Sequence, residues 1–105
     1  MGDKLEGYTK LSEQEIEEEL GKLKGWKVTN GKLNQKFEFK DFVQAFGFMT
    51  KVAMEAEKLN HHPEWFNVYS KVTIDLVTHD IDGISNYDIE LARIVNRLSD
   101  KEKAE

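Results

Sequence analysis

The sequence predicts an α+β fold in which helices cover one face of a four-stranded antiparallel sheet. Two segments open with a capping box and continue with apolar residues at helical spacing. An Asn-Gly dipeptide separates two segments in which apolar and polar residues alternate, as they do in a hairpin. The predicted order is helix-strand-strand-helix-strand-strand-helix, and helices on one face of the sheet would bury the apolar side of every element.

The first helix is predicted over residues 12–23. Ser12 and Glu15 have the spacing of a capping box. Behind them, apolar residues recur at helical intervals at Leu11, Ile16, Leu20 and Leu23. The opposite side carries Glu and Lys, so this helix should lie on the surface with one apolar stripe facing inward.

A hairpin follows. Trp26 and Val28 alternate with polar residues, and Asn30-Gly31 supplies the dipeptide that tolerates the positive φ angles of a two-residue turn. The return strand is predicted from the alternating positions Leu33, Gln35, Phe37 and Phe39.

A long second helix is predicted from an N-cap at Asp41 to about residue 60. Its main apolar stripe consists of Phe42, Ala45, Phe46, Met49, Val52, Ala53, Ala56 and Leu59. Phe48 and Met54 fall outside this stripe, which predicts a second apolar face for contact with another subunit.

Pro63 disfavours helical geometry at His62 and marks the exit from that helix. Two strands are then predicted, a short one at Phe66 and Val68 and a longer one at Val72, Ile74 and Leu76. By alternation, His79 shares a face with Asp75 and Val77.

The last helix begins at Ser85, which has capping-box spacing to Asp88. Its predicted buried stripe is Tyr87, Leu91, Ile94, Val95 and Leu98. The whole chain, residues 1–105, is expected to form one domain, with flexible tails at 1–10 and 99–105.

The composition excludes several classes of protein. Hydrophobic residues make up 39% of the chain and charged residues 33%, as in a folded globular protein. The chain has no cysteine for a disulfide or thiolate site, and no apolar run of the roughly 20 residues that a membrane span requires. A net charge of -5 with scattered basic residues argues against nucleic-acid binding. We expect a cytoplasmic protein, because the amino terminus has no apolar signal segment.

All three histidines lie between residues 61 and 79. Histidine exchanges protons near neutral pH. Glu57 lies four residues before His61, so a continuous helix would place the carboxylate and the imidazole on one face. Such a carboxylate stabilises the charged ring and fixes which ring nitrogen carries the proton.

Three interpretations of the histidines remain open at this point. They could be surface or helix-capping residues, or three imidazoles could hold zinc. Adjacent histidines often point apart and no cysteine supports a metal site, so we predict no metal. Alternatively, two imidazoles face a small organic substrate, one donating a proton and the other accepting one. Spacing alone does not identify that substrate.

The wider pattern is more specific. It reads Glu57, three residues, His61-His62-Pro63, five residues, Tyr69, nine residues, His79, eight residues and Asp88, around the stretch HHPEWFNVY. This pattern resembles that of the pterin-4a-carbinolamine dehydratase family, and the order of elements extends the resemblance over nearly the whole chain.

The resemblance implies a lyase that dehydrates 4a-hydroxytetrahydrobiopterin to the quinonoid dihydropterin, in recycling of the pterin cofactor. Loss of the 4a-hydroxyl requires a proton on the leaving oxygen, and a base removes the N5 proton as the new C=N bond forms. Neither a metal nor a redox cofactor is implied.

The resemblance also implies roles for individual residues. His61 and His79 match the proton-transfer histidines, His62 positions the pterin and shares that work, and Glu57 is the supporting carboxylate. The segments that contact the pterin ring match Asn60, Val77, Thr78, His79 and Asp80. Asn60 stands where the family pattern has an Asp. Trp65 either lines the pocket or anchors the core. Tyr69 and Asp88 are interpreted first as structural residues.

A function of another class is the alternative. Animal members of the family also act as dimerisation cofactors that bind a homeodomain transcription factor through a helical surface. The face carrying Phe48 and Met54 would serve that role or self-assembly into the tetramer that the family forms, and self-assembly is the simpler interpretation. A transcription-factor partner and a nuclear location would apply only to an animal protein.

Overall fold

The computed structural model describes residues 7–105 as three α-helices and a four-stranded sheet. The elements are α1 (Glu13–Leu20), β1 (Lys27–Thr29), β2 (Lys32–Glu38), α2 (Phe42–Leu59), β3 (Glu64–Val68), β4 (Lys71–Leu76) and α3 (Asn86–Ala104). A 3-10 turn, His79–Ile81, lies between β4 and α3. This confirms the predicted fold class and the order of its elements.

All neighbouring strands of the sheet are antiparallel, in the order β1-β2-β4-β3. The predicted hairpin is confirmed. Asn30 and Gly31 have φ angles of 54° and 78°, which a two-residue turn of this kind requires. The resulting register places Leu33 of β2 opposite Leu76 of β4.

One face of the sheet carries the core. The buried apolar side chains of the sheet include Leu33, Phe37, Val72, Ile74 and Leu76. The helices pack against them with Ala45, Phe48, Val52 and Ala56 of α2 and with Leu91, Ala92 and Val95 of α3. Alternate strand positions point to the opposite side, which we name the open sheet face. It carries half-buried or exposed residues such as Lys32, Lys36, Glu64, Phe66 and Thr73.

The capping box of α1 is present, because Ser12 Oγ accepts from the Glu15 N–H and Glu15 Oε1 accepts from the Ser12 N–H. The helix is shorter than the predicted 12–23. Beyond Leu20 the backbone changes to three-residue spacing, with the Leu23 N–H donating to the Leu20 carbonyl at 3.2 Å. Leu23 is still buried in the core, as its apolar spacing indicated.

The apolar faces of α2 differ from the prediction. Phe48 is fully buried and packs against Phe37 and Phe39, with ring centroids 5.2 and 4.8 Å apart, so its assignment to an outer face was wrong. Both stripes of this helix satisfy a 3.6-residue period, and only tertiary packing decides which one faces the sheet. The outer face of α2, as we name it, carries Phe42, Val43, Phe46 and Met54, each at least 47% exposed.

The carboxyl-terminal tail is ordered as helix, contrary to the expectation for residues 99–105. α3 continues to Ala104, and Ser99 and Glu102 are buried. The Glu102 carbonyl accepts from Gln44 Nε2 at 2.9 Å, and its carboxylate pairs with Lys51 at 2.8 Å. These contacts attach the end of α3 to α2. The charged composition suggested a frayed tail, but Glu102 supplies the polar partners of Gln44 and Lys51 on α2.

Residues 1–6 of the expected amino-terminal tail lie outside the described residues. Residues 7–10 are held against the start of α3, where the Thr9 N–H donates to Asn86 Oδ1 at 2.8 Å and Lys10 bridges Ser85. Within residues 7–105, no helix has the length and apolar character needed to cross a membrane.

Candidate active site

The site begins where α2 ends. Asn60 adopts the left-handed conformation (φ 55°, ψ 42°), and its N–H donates to the carbonyls of Ala56 and Glu57. The His61 N–H then donates to the Ala56 carbonyl at 3.1 Å. Asn is among the few residues that adopt this conformation readily. The turn directs His61 inward and leaves His62 outside.

His61 is buried and paired with a buried carboxylate. Its Nε2 lies 2.6 Å from Asp88 Oδ1, and the two side chains are 6% and 0% exposed. Asp88 Oδ2 accepts from Thr78 Oγ1 at 2.8 Å and from the Ser85 N–H at 2.9 Å. Asp88 is thus both the capping residue that the sequence predicted and the partner of His61, a role that its reading as a structural residue missed.

The surroundings of the His61 ring are aromatic. The Tyr87 ring lies 5.6 Å and the Tyr8 ring 6.1 Å from it, centroid to centroid. Among residues 7–105, His61 Nδ1 has no hydrogen-bond partner, whereas every fully buried side-chain nitrogen or oxygen has one. Nδ1 is therefore the ring nitrogen that is left to make a further hydrogen bond.

Glu57 pairs with His62. The helical spacing had predicted a pair with His61, and that prediction was wrong. His62 Nε2 lies 2.9 Å from Glu57 Oε1, and both side chains are mostly exposed. The prediction failed because it assumed a helix that continues through residue 61. The left-handed Asn60 ends the helix and breaks the geometry that brings residues four apart together.

His79 is the first residue of the 3-10 turn and is 73% exposed. Its Nε2 lies 2.7 Å from Glu64 Oε2, and the other oxygen of Glu64 lies 2.6 Å from Lys32 Nζ. The hydrogen bond from Lys32 is the main cause that holds the pKa of Glu64 below its ordinary value, and the hydrogen bond from His79 is the second. The same contact with Glu64 raises the pKa of Lys32.

Sequence reasoning singled out neither Glu64 nor Lys32. Glu64 follows Pro63 inside the HHPEWFNVY stretch, which was the one available signal. Lys32 lies 32 residues earlier in the chain, and only the strand order β2-β4-β3 brings the two side chains together.

The other predicted contact residues surround these pairs. Thr78 is buried, and its hydroxyl contacts both Asp88 and Ser85. Val77 is half-buried and Asp80 is exposed. Trp65 is half-buried and packs against the core, which agrees with the interpretation of this residue as a core anchor.

The arrangement favours proton exchange at defined atoms. Each histidine directs Nε2 at its own carboxylate, at 2.6 to 2.9 Å. Each carboxylate can accept a hydrogen bond from Nε2–H, which leaves Nδ1 to take or give a proton. Within the described part of the chain, no group of three or more His, Cys, Asp or Glu residues is placed to hold a metal ion.

Comparison with known proteins gives a consistent result. The family model described as pterin 4 alpha carbinolamine dehydratase matches residues 9–98. A Solibacter usitatus protein whose name assigns it to the pterin-4-alpha-carbinolamine dehydratases is 54% identical over 91 residues, covering 87% of this chain and 96% of its own. A similarly named Rhizobium rhizogenes protein is 47% identical over 94 residues, covering 88% and 93%.

A crystal structure of a transcriptional coactivator/pterin dehydratase from Brucella melitensis is similar in fold, with a TM-score of 0.84 and 45% sequence identity. The match covers 87% of this chain and 99% of the Brucella chain. On the combined evidence of the family model, the relatives and this structure, the chain belongs to the pterin 4 alpha carbinolamine dehydratase family.

Proposed function

We propose that the protein is a hydro-lyase that dehydrates 4a-hydroxytetrahydrobiopterin to the quinonoid dihydropterin by histidine acid-base catalysis. Family membership supports the reaction class. The observation that carries the assignment of the site is the 2.6 Å contact between buried His61 and fully buried Asp88. Ionisable side chains are costly to bury and cluster at functional sites, so this contact supports a role in chemistry beyond stability alone.

The reaction requires two proton transfers, which we assign to His61 and His79. One imidazolium protonates the 4a-hydroxyl, and the C4a–O bond breaks to release water. The other imidazole removes the N5 proton, and the electron pair of the N–H bond forms the C=N double bond. Both rings present Nδ1 for these steps, since Nε2 of each contacts a carboxylate.

Binding of the pterin is assigned to residues around these two histidines. His62, oriented by Glu57, contacts the substrate from the exposed side. Asn60, Val77, Thr78 and Asp80 contribute mainly through their backbone positions, because Thr78 already uses its hydroxyl within the Asp88 network. The pathway setting is recycling of the tetrahydrobiopterin cofactor.

The outer face of α2 supports a homo-oligomer. Four large apolar side chains exposed on one side of a helix form the kind of patch that marks a protein–protein interface. Self-association of identical chains is the commonest way to cover such a patch. The name of the Brucella protein includes a coactivator activity, and binding of a transcription factor through this face is the second candidate function.

The test of the proposed reaction is the loss of carbinolamine absorbance with purified protein added. We expect dehydration well above the rate in buffer, with quinonoid dihydropterin as product and with the rate unchanged by a chelator. A rate equal to that of the buffer reaction would contradict the proposal. A rate abolished by the chelator would show that the mechanism assigned to the histidines is incomplete.

A further inference from the structure

Three strands of the sheet bring a cation, a carboxylate and an imidazole into one row on the open sheet face. Lys32 begins β2, Glu64 begins β3, and His79 follows the end of β4. Glu64 uses both of its oxygens, Oε1 toward Lys32 Nζ at 2.6 Å and Oε2 toward His79 Nε2 at 2.7 Å. We propose that Glu64, held by Lys32, is a positioning residue for His79.

The sheet fixes the position of Glu64. It lies directly opposite Asp75 of β4, and β4 in turn pairs with β2. Asp75 accepts from Asn34 Nδ2 at 2.8 Å and adds to the negative potential around Lys32. Lys32 donates to Glu64 alone of these two carboxylates, and this hydrogen bond lets its ammonium orient Glu64.

Stability does not account for this row of polar contacts. The side chains of Lys32, Glu64 and His79 are 34%, 41% and 73% exposed. Ion pairs this exposed contribute little to folding, because water screens the charges and the side chains lose entropy. The short distances therefore call for an explanation other than stability, and orientation of an otherwise mobile imidazole provides one.

The chemistry of the pair fits that role. Glu64 is ionised at neutral pH, and the hydrogen bond from Lys32 lowers the pKa of its carboxyl further. An ionised carboxylate only accepts hydrogen bonds, so Nε2 of His79 must carry the proton. The ring is then held with Nδ1 directed away from Glu64 and available to the substrate. This inference rests on the proposed function of His79 and adds the group that orients its ring.

The test compares Glu64→Gln with Glu38→Gln, which makes the same charge change at an exposed position of the open sheet face. We expect Glu64→Gln to lower kcat about 10-fold with KM changed less than about 2-fold, because misorientation of a catalytic group affects the transition state more than binding. Glu38→Gln should match wild type. Thermal unfolding should be the same in all three proteins.

A double-variant cycle with His79→Ala separates positioning from an independent effect. If Glu64 acts through His79, Glu64→Gln causes no further loss in the His79→Ala background. If the two losses multiply, or if Glu64→Gln alone has the wild-type kcat, the inference is wrong.

A readout without substrate distinguishes this inference from the proposed function. Relaxation of the ring carbons of His79 by NMR should show a more mobile imidazole in Glu64→Gln and an unchanged one in Glu38→Gln. An inactive wild-type protein would overturn the proposed function and the catalytic part of this inference together. An active enzyme whose His79 ring is equally ordered in all variants would overturn the positioning role alone.

Discussion

At the scale of single residues, Asp88 joins the fold to the proposed chemistry. Its carboxylate closes the capping box of α3 through the Ser85 N–H and also accepts from Thr78 and His61. Three donors converge on one buried side chain. A substitution at this position should therefore affect stability and activity together, but through different contacts.

The first prediction concerns Asp88→Asn. The amide can turn its NH₂ group toward His61 and keep its oxygen on Thr78 and the Ser85 N–H, but the charged acceptor is lost, which should lower the free energy of unfolding by about 1–3 kcal/mol. His61 should change tautomer so that Nε2 accepts, and dehydration should slow by about 10²-fold or more, by analogy with the loss of a tautomer-fixing carboxylate elsewhere. Nitrogen-15 shifts of the His61 ring report the tautomer.

Asp100→Asn, an exposed change on α3, is the matched control and should leave both quantities unchanged. Retention of wild-type dehydration in Asp88→Asn would show that the buried carboxylate does not act on His61.

A second prediction follows from the lowered pKa of Glu64. A depressed carboxyl pKa means that the contacts with Lys32 and His79 are fully present above the ordinary value of 4.5 and are lost only as pH falls through the lower folded value. The carboxyl carbon of Glu64, followed by NMR, should titrate below 4.5, and Lys32→Met should raise its midpoint. A midpoint at or above 4.5 in wild type would contradict the electrostatic account.

The candidate residues of the site could be named at this scale, because the histidines and the family pattern are local in sequence. The pairing of the carboxylates could not. Glu57 pairs with His62 instead of the predicted His61 because one residue, Asn60, is left-handed. The contact of Glu64 with Lys32 depends on the order of the strands.

At the scale of elements, α2 shows why periodicity alone misplaced one aromatic residue. Phe46 and Phe48 both satisfy a helical stripe, yet Phe46 is 55% exposed and Phe48 is fully buried. The aromatic residues Phe37 and Phe39 of the neighbouring strand and loop determine which stripe is covered. Sequence could predict that two apolar faces exist, but not which one meets the sheet.

A third prediction tests the outer face of α2. Phe46→Asp places a charge in the centre of the patch, so the assembled state should weaken while the folded protomer persists, because Phe46 makes little contact with the core. Sedimentation should report a lower mass for this variant. Gln14→Asp on exposed α1 should keep the wild-type mass. An oligomer unaffected by Phe46→Asp would place the interface elsewhere.

A fourth prediction concerns the end of α3. Removal of residues 100–105 eliminates the contacts of Glu102 with Gln44 and Lys51 and the approach of Lys103 to the Phe39 ring at 5.5 Å. We expect a loss of about 2 kcal/mol in unfolding free energy, since a buried amide is left without its partner. Removal of residues 104–105 alone should have little effect. Equal denaturant midpoints for the two truncated proteins would contradict the role of the Glu102 contacts and would support the frayed tail that the composition indicated.

At the scale of the whole molecule, capping boxes, the Asn-Gly turn and apolar alternation were sufficient to predict the fold class. Each is a local signal that the structure confirms, at Ser12, Asn30-Gly31 and Ser85. The order β1-β2-β4-β3 depends on contacts between distant segments. That order determines the open sheet face, and with it the Glu64 contacts that local reasoning could not supply.

The central claim is that His61 and His79 share the proton transfers of pterin carbinolamine dehydration. The most direct test is the dehydration rate of the wild-type protein, His61→Ala and His79→Ala, each confirmed as folded by thermal unfolding. We predict that each substitution slows dehydration by about 10²-fold or more, as expected for loss of a general acid or base. Wild-type rates in both variants would contradict the claim.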